Sequence, residues 1–196
     1  MNYVKTCLTV ALGIILMASL CRKEVPPERQ WERGFFEPIG GKPFSLAAGL
    51  TIRTMYGSDS LSRVSELPLD MLIRNGTARR ITTTFPAGLV LSPYDPEYAY
   101  MILLQDFRFS VPADAETVIL LPTYSCNEDQ YEPDDESIYR TDIRVFEREL
   151  NELLDLLVGK KLEGDTAVPL AQEALWEITE YEGLTDSMRT LLEDLP

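Results

Sequence analysis

Between Phe44 and Cys126, short apolar or alternating runs follow one another with no stretch of helical period between them, and this constrains the fold more than any other feature of the chain. The runs are LTIRTMY (50–56), LPLDMLIRN (67–75), ARRITTTF (78–85), AGLVLSP (87–93), AYMILLQDFRFSV (99–111) and ETVILLPTYSC (116–126). Parallel pairing needs a crossover of about a dozen or more residues, and these connections are shorter. Asn75-Gly76, at the end of the second run, has the composition of a tight reversal with positive φ angles, which predicts a hairpin with ARRITTTF. Pro93-Tyr94-Asp95-Pro96 and Pro112-Ala113-Asp114 break the later runs. The expectation is an α+β chain whose residues 43–137 form an antiparallel, Ig-like β-sandwich of six to seven strands.

From there the period changes. Ile143, Phe146, Leu150, Leu153, Leu154 and Leu157 recur at helical spacing, with Arg144, Glu147, Arg148, Glu149 and Glu152 on the opposite side and Gly159 as a stop. Pro169 suits the first turn of a second helix running through Leu170, Ala174, Leu175, Ile178 and Tyr181 to Gly183. A third, short helix follows Thr185, with Asp186 at its positive end and Met188, Leu191, Leu192 and Leu195 apolar. Residues 138–196 are therefore expected to be two to three helices packed on one face or one end of the sandwich.

The N-terminus gives an address. Lys5, the apolar run CLTVALGIILMASL (7–20), and Cys21 followed by Arg22, Lys23 and Glu24 have the layout of an export signal at residues 1–20 that ends on a lipid-accepting cysteine. The run is shorter than the roughly 20 apolar residues of an unstrained membrane-spanning helix, which favours a processed signal over a permanent anchor. Leu20 is larger than the small residue a lipoprotein signal peptidase prefers before the cysteine, so soluble secretion and an uncleaved anchor stay open beside lipidation of Cys21. A diacylated Cys21 would hold the chain stably on a membrane, since each buried methylene contributes about 0.8 kcal/mol. Residues 21–42, rich in proline, glycine and charge, read as a tether, although Trp31, Phe35 and Phe36 predict that part of it packs on the body, as an edge strand for example.

Charge and cysteine count narrow the chemistry. The net charge is −14, which disfavours nucleic acid and anionic lipid surfaces as partners. Cys7 leaves with the signal and Cys21 carries lipid, so Cys126 is left without an intramolecular partner. The chain has no histidine, which removes Ser-His-Asp triads, Cys-His pairs and histidine-bearing zinc sites. Carboxylate-pair chemistry remains conceivable, but with 32 acidic residues no particular pair stands out. The chain is read as a non-enzyme without cofactor or resident metal.

Four segments occur in a recognisable order: FPAGLVL (85–91), ILLQDFRFSVPADAETVIL (102–120), the Tyr124-x-Cys126-Asn127 pattern, and AQEALWEIT (171–179). The set resembles segments of secreted bacterial proteins of uncharacterised role in which helices follow a β-sandwich. The last segment also resembles the TQxA motif of thioester domains on Gram-positive adhesins, with Gln172 and Ala174 matching and Ala171 in place of threonine. That likeness implies Cys126 as the cysteine of an internal thioester. The family's thioester glutamine lies after TQxA, however, and no glutamine follows Gln172 here. The alternative for Cys126 is a buried thiol at a strand end.

Gln172 and Trp176 stand four apart and so share a helix face. The glutamine is expected to satisfy backbone groups of an adjacent strand while the indole fills the gap between helix and sheet. Ligand stacking on Trp176 is the functional alternative. The acidic loop NEDQYEPDDES (127–137) supplies hard oxygen ligands of the kind calcium prefers, but lacks the glycine and alternation of an EF-hand, so a solvated surface loop is expected. Taken together, the expectation is a bacterial envelope lipoprotein, lipid-anchored through Cys21, acting as a non-catalytic interaction module for a protein or other macromolecule. A permanent structural part of an envelope assembly is the alternative, and a thioester-type covalent adhesin domain a third.

Overall fold

The computed structural model describes residues 36, 38, 40–60, 62–145 and 147–196. The strands are β1 (Gly41–Pro43), β2 (Leu50–Gly57), β3 (Leu69–Asn75), β4 (Ile81–Phe85), β5 (Leu89–Pro93), β6 (Met101–Ile102), β7 (Phe107–Val111), β8 (Glu116–Leu121), β9 (Tyr124–Ser125) and β10 (Tyr139–Val145). Three helices follow: α1 (Arg148–Leu156), α2 (Gly164–Thr179) and α3 (Asp186–Glu193). Every ladder is antiparallel, as the short connections require. The fold is α+β, with sheets ordered β1-β10-β5-β6-β9, β2-β3-β8 and β4-β7.

The five-stranded sheet is the middle layer, buried on both faces. Successive residues of β5 show how: Leu89 and Leu91 enter one core with Met55, Met71, Ile73, Phe85 and Phe109 from the smaller sheets, while Val90 enters a second core formed with the helices. β6 repeats the division, Met101 facing the sandwich and Ile102 the helices. A strand buried on both faces reads as a continuous apolar run rather than an alternation, which is why LVL is uniformly apolar. The helices thus cover one face of the sheet through Leu150, Leu153, Leu157, Ala171, Ala174, Leu175, Ile178 and Leu192.

Ile143 lies on a strand, not on a helix. β10 pairs with β5, and the register slips by a bulge between Thr141 and Arg144. The bulge turns the strand over, so Tyr139 packs in the sandwich core and Val145 in the helical core. The bulge interrupts the period of two, and the distance from Ile143 to Leu150 happens to fit a helix. The first helix begins at Arg148, capped by Glu147, whose carboxylate accepts from the N–H of Glu149 (3.0 Å) and of Leu150 (2.8 Å).

Three further expectations are revised. The Asn75-Gly76 hairpin does not form: β3 pairs with β2 and β8, and β4 pairs with β7. Asn75 instead ties the turn together with its side chain. Its Nδ2 donates to the carbonyls of Arg79 (2.8 Å), Val111 (3.1 Å) and Pro112 (2.9 Å), and its Oδ1 accepts from the Thr77 N–H (2.9 Å). The run 99–111 is two strands, broken at residues 103–106. Pro169 lies inside α2, which starts earlier, at Gly164. In the expected tether, β1 is an edge strand on β10, and Phe36 is buried in the helical core with its ring edge-on to Tyr100 (6.0 Å between centroids).

Candidate binding site

The motif residues converge where α2 crosses the edge of the middle sheet. β9 pairs on one side with β6, Ser125 opposite Met101. On its other side the Gln172 amide takes the place of a neighbouring strand, accepting from the Ser125 N–H at 2.9 Å and donating to the Ser125 carbonyl at 2.8 Å. Ala171 and Ala174, small and fully buried, let α2 approach closely enough for that reach. The expected bridge from Gln172 to a strand is present, and the amide nitrogen a thioester would have to expel is the one holding Ser125.

Cys126 follows directly. Its side chain has no exposure, its N–H donates to the Tyr100 carbonyl (2.8 Å), and it is a free thiol. Burial pushes the thiol well above its ordinary pKa, and the Glu180 carboxylate adds to the shift. Asn127 completes the knot: its Oδ1 accepts from the Tyr100 N–H (3.0 Å), and its carbonyl accepts from the Ser125 hydroxyl (2.8 Å). Tyr124 donates through its hydroxyl to the Val64 carbonyl (3.0 Å). The Tyr-x-Cys-Asn pattern thus builds a buried polar network. Cys21 lies outside the described residues.

The acidic loop is folded onto the body. Asp134 Oδ1 accepts from the N–H groups of Ser137 (2.8 Å) and Glu136 (3.1 Å), and Oδ2 accepts from the Tyr98 hydroxyl (3.0 Å). Desolvation works to raise its pKa, but these hydrogen bonds outweigh it and hold the carboxyl below the usual range. The loop backbone sits on Gly57, where an added Cβ would stand 2.3 Å from Asp134 N, so only glycine fits. Among the described residues no group of three or more metal-ligating side chains is arranged to hold an ion.

Trp176 departs from expectation. Its indole is half-buried and outside both cores, on the wall of a cavity of about 600 Å³. Tyr181, Met188, Glu128, Glu173, Glu177 and Glu182 share that wall. The elements that place them are the end of α2, the start of α3 and the acidic loop. Glu177 receives the Thr185 N–H at 2.7 Å, and Glu128 accepts from the Tyr181 hydroxyl, which raises that phenol's pKa. Trp176 Nε1 is buried without a hydrogen-bond partner.

A second cavity, of about 470 Å³, lies between Ala87, Arg144 of β10, the 104–106 bend and the C-terminal half of α1 with the turn after it. Several of its polar side chains are committed to backbone carbonyls. Gln105 Nε2 donates to the carbonyls of Leu157 (2.7 Å) and Lys160 (2.9 Å), Arg144 Nε to Ala87 (2.9 Å), and Lys160 Nζ to Glu193 (2.6 Å) and Leu195 (2.7 Å). The Trp176 cavity is the larger of the two and carries the aromatic wall, which makes it the better candidate site. Tyr181 was expected only on the apolar side of the second helix and Glu128 only as a carboxylate of the acidic loop, so their meeting at Trp176 was missed.

In comparisons with family models, curated proteins and solved structures, nothing matches this chain.

Proposed function

We propose that this chain is a non-catalytic binding module held at a bacterial cell envelope by lipid on Cys21, and that it takes its partner at the Trp176 cavity. The observation that carries the reading is the composition of that cavity. An indole, a phenol and a thioether supply apolar area on a surface crowded with carboxylates, and the volume suits a ligand or an anchoring side chain. A wall with one aromatic platform and convergent polar groups suits recognition.

Mass spectrometry of the N-terminus from native membranes tests the address. A diacylated Cys21 supports it; an N-terminus at Met1 or a lipid-free chain in the medium overturns it. Crosslinking from a photoreactive residue at position 181 tests the surface, with a discrete adduct expected in intact cells and none from an equivalent probe at position 158.

One observation favours permanent membership of an envelope assembly instead. On the outer face of β2-β3-β8, Leu72 and Val118 stand opposite each other in register, with Leu120 on the same side and Val118 54% exposed. Exposed apolar area on a sheet suits a lasting contact. A stoichiometric companion that survives membrane solubilisation and high salt, and is lost in Val118→Lys, would favour this reading.

A further inference from the structure

We propose that β4 is a self-pairing edge, onto which a second copy of this chain adds its own β4 across a two-fold axis at Thr83. The contact is independent of the Trp176 cavity and of its occupant.

The state of the sheet edges is the first support. An open strand edge is a template for another strand, and proteins blunt it with charge, proline, bulges or cover. β1 is three residues long and ends on Pro43. β2 carries Arg53 and a bulge between Ile52 and Thr54, and its Gly57 N–H donates to the Asp134 carbonyl at 2.8 Å. β7 and β8 carry Arg108 and Glu116, and β9 is closed by Gln172. β4, ITTTF, has none of these devices. It pairs with β7 without a slip, and among the described residues its other edge meets no backbone partner.

Charge is the second support. A chain of net charge −14 repels its own copies over most of its surface. Between Asp70 and Asp95 no acidic residue occurs, and β4 lies inside that stretch. The outward side chains of the ladder are Thr82, Thr84, Arg108 and Ser110, with Arg80 just before the strand. A second copy therefore meets hydroxyls and arginines here rather than carboxylates.

The third support is that β4 is complementary to itself when reversed. Antiparallel pairing centred on Thr83 sets Thr82 opposite Thr84 of the second copy and Ile81 opposite its Phe85, so like faces meet. Thr82 and Ser110 already share a hydroxyl hydrogen bond across the ladder at 2.7 Å, and the pairing continues that row into the second copy. Arg80 comes to face Pro86 of the second copy. The two copies of Arg80 then stand about 20 Å apart along the strand direction, far beyond the roughly 8 Å screening length at physiological salt. Such a contact is isologous and closes at two copies. A five-residue edge is small beside the roughly 1,200 Å² of a stable complex, so the pair is reversible and depends on concentration.

The test uses the full chain in mild detergent under mild oxidation, with the parent chain setting the background from its own cysteines. Thr83→Cys is expected to give a disulfide-linked dimer, because residues opposite each other in an antiparallel pair have Cα atoms about 5 Å apart, within disulfide range. Ser110→Cys, on β7, should stay at background. Thr82→Cys mixed with Thr84→Cys should link to each other and not to themselves, which fixes the register. Thr83→Lys should raise the concentration needed for self-association in sedimentation by about tenfold, at an unchanged melting temperature. Absence of a Thr83→Cys dimer at the highest attainable concentration, in a chain that melts like its parent, would overturn the proposal. Equal linking from Ser110→Cys, or self-association untouched by Thr83→Lys, would do so as well. Linking of Thr83→Cys in native membranes to a different protein, with no dimer, would assign the edge to that partner and overturn self-pairing.

Discussion

Gln172 bonds both backbone groups of Ser125, its Oε1 accepting at 2.9 Å and its Nε2 donating at 2.8 Å, so that one side chain of a helix closes the edge of a buried sheet. Removing it leaves two buried polar groups without partners and a void between α2 and β9. Gln172→Ala is expected to destabilise the chain by about 2–4 kcal/mol in urea unfolding. Gln172→Glu should cost at least as much, because it loses the donor to the Ser125 carbonyl and buries a charge.

The same contact bears on Cys126. With the Gln172 amide intact and the thiol wholly buried, the folded chain should show its full mass, without loss of ammonia, and Cys126 should resist iodoacetamide until denaturant is added. A mass short by one ammonia in the folded protein would identify a thioester and overturn the buried-thiol reading.

Asn75 is the polar centre of the turn after β3. Asn75→Asp would set a carboxylate against the carbonyls of Arg79, Val111 and Pro112, where the amide now donates. The expected cost is about 3 kcal/mol or more, because three acceptors lose their donor and face a negative charge. Urea unfolding measures it, with Asn75→Ala expected to cost less.

Stability should fall as acidity is removed near Glu180. Burial, set against a backbone hydrogen bond from Glu128 and reinforced by Asp129 and Glu128, raises its folded pKa, so the folded state holds a proton that the unfolded state releases above about pH 4.3. Stability is therefore lost as pH rises from there through the raised value. Glu180→Gln should unfold at higher urea than the parent chain at neutral pH and at the same urea near pH 4. An equal difference at both would show that the carboxylate is not the cause.

At the alkaline end the sign is the same. Burial raises Cys126, Tyr124 and Tyr139 above their ordinary values, so the unfolded chain loses these protons first, from about pH 8.5 for the thiol and about pH 10 for the phenols. Unfolding midpoints should drop progressively across that range. Tyr139→Phe should flatten the drop above pH 10 while costing about 1 kcal/mol at neutral pH, through loss of the bond from its hydroxyl to the Ala99 carbonyl (3.1 Å).

What the sequence disclosed and what it hid divide along physical lines. Strand runs, the antiparallel rule and the helices from Arg148 onward were legible because apolar period and chain length act locally. β10 was masked because its bulge lets Ile143 fit a helical spacing toward Leu150, and spacing alone does not separate the two. The partner of β3 was misread because Asn-Gly favours a hairpin locally, whereas burial of Met71 and Ile73 between β2 and β8 decides the pairing globally. Pro169 looked like a helix start because its cost inside a helix is real, but the buried face of α2 begins earlier, at Ala167 and Val168. At the candidate site, Gln172 could be assigned its strand-bridging role from spacing. The cavity beside it needs the acidic loop at Glu128 to meet the stretch from Glu173 to Met188, and no local pattern reports that.

The middle sheet has no free face to give up. Because β5 and β6 send neighbouring residues into opposite cores and β10 sends its two ends there, stripping away the helices would not release a smaller sandwich but would bare Val90, Ile102 and Val145 together. Sandwich and helices should therefore melt as one event, and a chain that stops short of α1 should be an insoluble fragment. The cores on either side of β5 and β6 then stand or fall together.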